Sequence, residues 1–296
     1  MLYLHYYGLQ EKPFEDTANP RYLWLGEAQK EALTVLEHGI RARKGITLLS
    51  GDVGTGKTAI LNYMAEIYEN QVLISRINNP DLDIPDFLNS LSDSFKLGAS
   101  IEDKVSFLSQ MIMAGSNKKM ILILIDEAHL LTSNLLEELS LLLKIRKNNE
   151  RMVNIILAGQ ERLLGSLNEK HLAEINQEAP LKCHLRPLTA DESDHYIRHR
   201  LRIAGATRNL FSVTALGKIY LYSGGVPRVI NSICDHALLT GYSKNLELIN
   251  SAVIQECSPA YCFLTAANDP AAGCIPMDQA SQPVQPRSVS RSGQPI

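Results

Sequence analysis

Long apolar runs are missing from this 296-residue chain; the longest purely aliphatic stretch near its middle, residues 120–125, is far too short to span a bilayer. The opening Met-Leu-Tyr-Leu-His-Tyr-Tyr has no basic segment followed by an apolar one, so it does not read as a secretory signal. Cysteine is sparse and irregular. Cys183, Cys234, Cys257, Cys262 and Cys274 are odd in number and form no CxxC pair, which argues against a disulfide framework or zinc knuckle. That usage suits a reducing compartment, and the chain is read as cytoplasmic. Charge of one sign is also lacking. A net charge of -3 gives no global drive toward nucleic acid or anionic membrane, although a local patch can still form. No repeat of solenoid period is present. What remains, 45% hydrophobic and 21% charged residues, is the composition of a globular protein with a core.

Short β-rich runs alternate with amphipathic segments up to about residue 185, after which the pattern turns all-helical. Strands are expected at 46–50, 72–77, 120–125, 153–158 and 182–185. Helices are expected between them at 58–68, 85–95, 105–114 and 134–147, and beyond them at 190–204, 214–223, 227–242 and 248–256. Continuous apolar strands such as Ile121-Leu-Ile-Leu-Ile125 indicate a parallel sheet covered on both faces. The order points to an α/β domain followed by a small helical one. From about residue 267 the chain is rich in Pro, Ser, Gln and Ala, and such a segment is expected to be disordered.

Gly51-Asp52-Val53-Gly54-Thr55-Gly56-Lys57-Thr58 fits GxxxxGK[ST] at every fixed position, with an apolar strand before it and a helical pattern after it. A loop that wraps a triphosphate needs backbone angles that glycine permits, amides that point inward and the positive end of a helix. Lys57 is expected to reach the β- and γ-phosphates of ATP, and the Thr58 hydroxyl to ligate Mg²⁺. Nucleotide contact is assigned to Gly51 through Thr58 and to Ala59. A chance match in a chain of this composition has odds on the order of 1%, so an incidental glycine turn is set aside.

The apolar strand at 121–125 delivers Asp126-Glu127-Ala128-His129. Asp126 is placed on the Mg²⁺ shell and Glu127 on the attacking water as general base. Two solvated acids at a turn would be the bland alternative without the phosphate loop nearby. His129 is read as a helix-start residue packing locally. Gln160, directly after the next buried strand, is the candidate for orienting the lytic water; an ordinary loop glutamine is the alternative. Gly224-Gly225-Val226-Pro227-Arg228 opens a helix by ordinary start chemistry. Arg198, Arg200 and Arg202 at the end of the helix at 190–204 are accounted for by the helix dipole. His195 and His199, four apart, lack a third ligand nearby in sequence and are not read as a metal site.

These stretches together resemble the AAA+ ATPase domain of the general secretion pathway protein A (ExeA/GspA-type) family. The resemblance runs over about residues 3–257. It rests on Tyr7-Gly8-Leu9, Pro13-Phe14, Pro20-Arg21-Tyr22-Leu23, the phosphate loop, Asp126-Glu127-Ala128-His129 and Ala158-Gly159-Gln160-Glu161. It rests also on His184-Leu185-Arg186-Pro187-Leu188, Tyr196-Ile197-Arg198-His199-Arg200-Leu201 and Gly224-Gly225-Val226-Pro227-Arg228. The resemblance implies a P-loop NTPase of AAA+ type, with sheet order 5-1-4-3-2 flanked by helices and a small C-terminal helical lid. It implies that the opening segment lies near the adenine, that Gln160 is the sensor 1 residue and that Arg228 is the lid arginine reading the γ-phosphate. Family members also show a Gln-Arg pair ahead of the last strand, a candidate arginine finger. Here that stretch is Asn176-Gln177-Glu178, so no finger is assigned; Arg146, Arg151 and Lys182 are substitutes by position only. Secretion-type members continue into a transmembrane helix and a peptidoglycan-binding domain, whereas this sequence runs into the polar tail.

The resulting expectation is an N-terminal linker and first helix over 1–45, the nucleotide-binding α/β domain over 46–188, the lid over 189–258 and the tail over 259–296. ATP hydrolysis would be coupled to assembly or remodelling of a secretion or export complex by a homo-oligomer. Two alternatives stay open. One is an ATP-dependent helper of transposition type binding duplex DNA, with Arg41, Arg43 and Lys44 as contacts. The other is a nucleotide-gated scaffold with negligible turnover.

Overall fold

Ile121-Leu-Ile-Leu-Ile125 can face water on neither side, and in the computed structural model all five residues are buried in an interior strand of a sheet. The structure describes residues 2–15, 19–97, 104–117, 120–162 and 181–257. The expected disorder of the tail and the Asn176-Gln177-Glu178 stretch lie outside them.

Five strands, β1 (Ile46–Gly51), β2 (Leu73–Ile77), β3 (Ile121–Ile125), β4 (Val153–Gly159) and β5 (Leu181–Leu185), pair only in parallel. Their order is β2-β3-β4-β1-β5, the expected 5-1-4-3-2. Ile121 stands opposite both Leu73 and Val153, and Ile46 opposite Ile155. Because β3, β4 and β1 are neighbours running the same way, their ends put Asp126, Gln160 and the phosphate loop on one edge of the sheet.

Strand residues alternate between two cores. Ile121, Ile123 and Ile125 face a cluster with Phe87, Leu91 and Leu139, from α4 (Ile84–Phe95) and α6 (Ser133–Leu143), and with Phe107 of α5 (Lys104–Asn117). Leu122 and Leu124 face Leu36 of α2 (Glu27–Arg41) and Ile60 and Met64 of α3 (Lys57–Tyr68). A third core unites α7 (Ala190–Ile203), α8 (Val213–Ser223), α9 (Pro227–Ser243) and α10 (Ser251–Cys257). Tyr3 and Tyr7 of α1 (Leu2–Tyr7), with Leu9 and Phe14, belong to this lid core. The chain's opening therefore packs on the lid before it crosses to the sheet through a 3₁₀ turn at Pro20–Tyr22.

The helix expected over 134–147 stops earlier. α6 ends at Leu143, and Arg146–Lys147 pairs with Glu150–Arg151 in a small hairpin. Asn148 and Asn149 turn it with φ of 51° and 65°, left-handed values that asparagine tolerates better than most residues and that a continuing helix cannot use. The last helix begins at Ser251 rather than 248, because Ile249 is held beside Phe211 in an isolated bridge. Among the described residues no helix is long and apolar enough to cross a membrane.

Candidate nucleotide site

The phosphate loop leaves β1 at Gly51 and enters α3 at Lys57. Gly54 and Gly56 carry φ of 83° and 103°, which a side chain would oppose, and Gly56 is the left-handed cap from which α3 starts. Thr55 closes the loop by donating its hydroxyl to the Asp52 carbonyl at 2.8 Å. The Lys57 ammonium, 6% exposed, donates to the carbonyls of Gly51 and Asp52, each at 2.8 Å. Burial pulls its pKa below the usual lysine value, against the nearby carboxylates of Glu127, Asp126 and Asp52.

Asp126 is buried, and the Thr58 hydroxyl donates to its Oδ2 while the Glu127 amide donates to its Oδ1 at 2.9 Å. A hydroxyl and a carboxylate oxygen are hard donors of the kind Mg²⁺ accepts when phosphates complete its shell. Among the described residues no three His, Cys, Asp or Glu side chains gather as a metal cage, so an ion here would depend on the nucleotide for further ligands. Glu127 sits in a left-handed conformation at φ 47° with its side chain 44% exposed, facing the same cavity. His129, on the following 3₁₀ turn, is not simply local packing. Its Nδ1 lies 3.3 Å from Glu127 Oε2 and accepts the main-chain N–H of Gln160 at 3.5 Å. The Gln160 side chain is not among those lining the cavity.

The lid closes over the loop. Arg228, in the first turn of α9, donates its main-chain N–H to the Gly54 carbonyl at 3.3 Å. Lys57, Thr58, Glu127 and Arg228 line one cavity of about 370 Å³ with Val53, Gly54, Gly56, Ala59, Tyr196, Arg200, Pro227 and Asn231. A second, smaller cavity of about 70 Å³ shares Gly56, Ala59, Tyr196, Arg200 and Pro227 with it. Asn19, Tyr22, Leu23 and Trp24 of the opening segment line this smaller side, together with Thr55, Gln29 and Leu188. A cavity lined by Lys57, Thr58, Glu127 and Arg228 thus adjoins one lined by Tyr22, Trp24 and Tyr196.

Comparison with known proteins agrees with this geometry. The family model of the AAA domain matches residues 40–167. The general secretion pathway protein A of Aeromonas hydrophila is 33% identical over 250 residues, covering 82% of this chain and 45% of that protein. The chain carries an AAA+ domain of the general secretion pathway protein A type. It spans less than half the length of that relative. In fold, Cdc6p from Pyrobaculum aerophilum superposes with a TM-score of 0.68 at 15% identity, over 85% of this chain and 71% of that one. The Aeropyrum pernix ORC1 protein in complex with DNA gives 0.60 at 14% identity, over 84% and 68%. The Thermotoga maritima RuvB Holliday junction branch migration motor gives 0.57 at 16% identity, over 80% and 70%.

Sequence reasoning missed four residues that line the larger cavity, Tyr196, Arg200, Pro227 and Asn231; Arg200 had an adequate explanation in the helix dipole. The guanidinium is buried and donates to the carbonyls of Pro13 at 2.6 Å and Glu15 at 2.9 Å and to the Tyr196 hydroxyl at 2.8 Å, 4.8 Å over the Tyr22 ring. The available signal was the i, i+4 spacing of Tyr196 and Arg200, which places both on one helix face. Arg43, in contrast, is engaged away from the site, with Glu150 at 3.0 Å and the Arg151 carbonyl at 2.9 Å. Arg146, Arg151 and Lys182 do not line the cavity. His195 Nδ1 lies 2.7 Å from the Asp191 carbonyl, which uses that nitrogen within its own helix.

Proposed function

We propose that this AAA+ domain binds ATP with Mg²⁺ and hydrolyses it, and that its nucleotide state sets the lid. The observation that carries the reading is the contact between buried Asp126 and the hydroxyl of Thr58, which lines one cavity with Lys57, Glu127 and Arg228. Lys57 and the loop amides would hold the phosphates, and Thr58 with Asp126 would hold the ion. Bound Mg²⁺ would neutralise charge on the phosphate oxygens. Glu127 takes a proton from water as its oxygen bonds to the γ-phosphorus, and the bond to the ADP oxygen breaks, giving ADP and phosphate. Arg228 lies where a lid cation can meet the γ-phosphate, and Gln160 is the residue proposed to orient the water. The aromatic side pocket takes the adenine.

By analogy with the secretion relative, we assign the chain to a homo-oligomer that assembles or remodels a secretion or export complex. Three buried free thiols, Cys183, Cys234 and Cys257, suit a reducing compartment, and we place the domain in the cytoplasm. A second reading, nucleotide-dependent binding of duplex DNA, draws support from a lid cavity lined by Arg198, Arg202 and Arg208. Steady-state hydrolysis across protein concentrations, with and without duplex DNA, tests both readings. Glu127→Gln should bind ATP without turnover, and Lys57→Ala should lose tight nucleotide binding. Turnover rising with concentration supports subunit-completed sites, and a salt-sensitive boost from DNA supports the second reading. Nucleotide binding by Lys57→Ala at wild-type strength would refute the phosphate-loop assignment, and binding without turnover under every condition would leave a scaffold.

A further inference from the structure

The ring of His129 has work that neither the phosphate loop nor the acidic pair accounts for. Its side chain is 3% exposed, and its Nδ1 lies near two different groups. The main-chain N–H of Gln160, directly after β4, donates to that nitrogen at 3.5 Å, while Glu127 Oε2 lies 3.3 Å from it. One nitrogen cannot serve both at once. To receive an N–H it must carry a lone pair; to hold a carboxylate it must carry a proton. Burial holds the imidazole pKa below its usual value, with Arg162 and Lys57 adding to the effect against Glu127 and Asp126, so the neutral ring is favoured.

We propose that His129 is the positioning residue for Glu127: in the nucleotide-free protein its Nδ1 accepts the Gln160 amide, and only a proton on Nδ1 would let it hold the Glu127 carboxylate instead. This rests on the reading of Glu127 as the base. With the proton on Nε2, the single Nδ1 lone pair accepts from Gln160 and Nδ1 has no proton for Glu127. The carboxylate, 3.3 Å away, then takes no hydrogen bond from the ring and is left free for water. With the proton on Nδ1, the ring binds Glu127 and the Gln160 amide loses its acceptor. A shift at the end of β4 is thereby transmitted to the base through a single atom, and the left-handed backbone at Glu127 fixes the reach of its carboxylate.

Two measurements test this. In nucleotide-free protein labelled with ¹⁵N-histidine, long-range proton–nitrogen correlation should show the resonance lost in His129→Gln with Nε2 protonated and Nδ1 bare; a protonated Nδ1 there overturns the proposal. In turnover assays His129→Phe, which fills the space without an acceptor, should lower kcat on the order of ten- to a hundredfold, the scale of a displaced catalytic group. ATP affinity should stay within about twofold. His129→Asn, whose Oδ1 can accept from Gln160, should recover most of the rate. Wild-type kcat in His129→Phe, or equal losses in the Phe and Asn variants, would overturn it. A wild-type protein without turnover would instead remove the base assignment, and the nitrogen signals would still decide the contact.

Discussion

Gly54→Ala should push the lid off the phosphate loop. A Cβ at this position would stand 2.8 Å from Arg228 Cβ and 3.1 Å from Val226 Cγ1, neither of them the far end of a flexible side chain. Carbon atoms at rest sit ~3.5–4.0 Å apart, so the first turn of α9 would have to retreat by roughly 1 Å. Holding alanine at φ 83° adds ~1–2 kcal/mol. The Arg228-to-Gly54 main-chain bond, worth ~0.5–1.5 kcal/mol, would be lost with the retreat. The combined loss is about 1.5–3.5 kcal/mol in chemical denaturation. Gly8→Ala is the control, since Gly8 has φ 70° and no atom within 4 Å of an added Cβ, and so reports strain alone. Calorimetric titration with a non-hydrolysable ATP analogue and with ADP then separates the two effects. If Arg228 meets the γ-phosphate, the analogue should weaken by about tenfold more than ADP, the size of one charge-assisted hydrogen bond. A Gly54→Ala protein no less stable than Gly8→Ala, with an unchanged preference for the analogue over ADP, would refute the reasoning.

Thr58→Val, which keeps shape and removes the hydroxyl, should weaken Mg²⁺-dependent ATP binding at least tenfold while leaving binding in chelator nearly unchanged, measured by the same titration. Arg200→Lys cannot reproduce three directed donors at Pro13, Glu15 and Tyr196; it should lower the melting temperature and expose the segment around residue 15 to protease. Glu192 makes an acid-sensitive joint. Burial alone would raise its pKa, but Arg186 at 2.7 Å and the amides of Thr189 and Glu27 bring it down to about 2 from 4.5. A lowered carboxylate pKa contributes stability that is complete above about pH 4.5 and is lost as pH falls toward 2. Glu192→Gln should flatten that acid limb of the denaturation profile, and an unchanged limb would place the joint elsewhere.

The fold was legible because its signals were local and redundant. Ile121–Ile125 could only be a doubly covered strand, and the glycine loop after Ile46–Gly51 announced both its strand and its helix. The Thr58–Asp126 contact followed from two short motifs brought together by neighbouring strands. The Asn148–Asn149 turn was missed because α6 has an apolar pattern that reads on through Ile145, while the left-handed turn depends on two residues. Arg200 was hidden for a different reason. On sequence it ends an acidic-to-basic helix, and its true partners, the carbonyls of Pro13 and Glu15, lie 187 and 185 positions away. His129 was equally opaque, since its neighbour Gln160 arrives on a separate strand.

The long reach of Arg200 bears on how the lid can move. Residues 2–14 pack in the lid core, and Arg200 fastens the chain just after them. The segment then passes Asn19, Tyr22 and Trp24 along the aromatic pocket before entering α2, whose first amide, at Glu27, donates to Glu192 at the lid's own entry helix. Gly225 is threaded so closely past Leu188 that a Cβ would strike its carbonyl, and the Leu188 N–H donates to the Gly225 carbonyl at 2.9 Å. The lid is therefore tied to the sheet by a second covalent crossing beside the aromatic pocket and by polar contacts at both crossings. Tyr196 packs in the lid core with Val229 and Ile230 of α9 and accepts from Arg200, which lies over the Tyr22 ring, so a rotation that carries Arg228 toward or away from the phosphate loop would also displace Tyr196 and Arg200 against Tyr22. On the proposed reading, a lid rotation would open the cavity at Lys57 and Arg228 and the aromatic pocket together, so that nucleotide release and lid movement would belong to one motion.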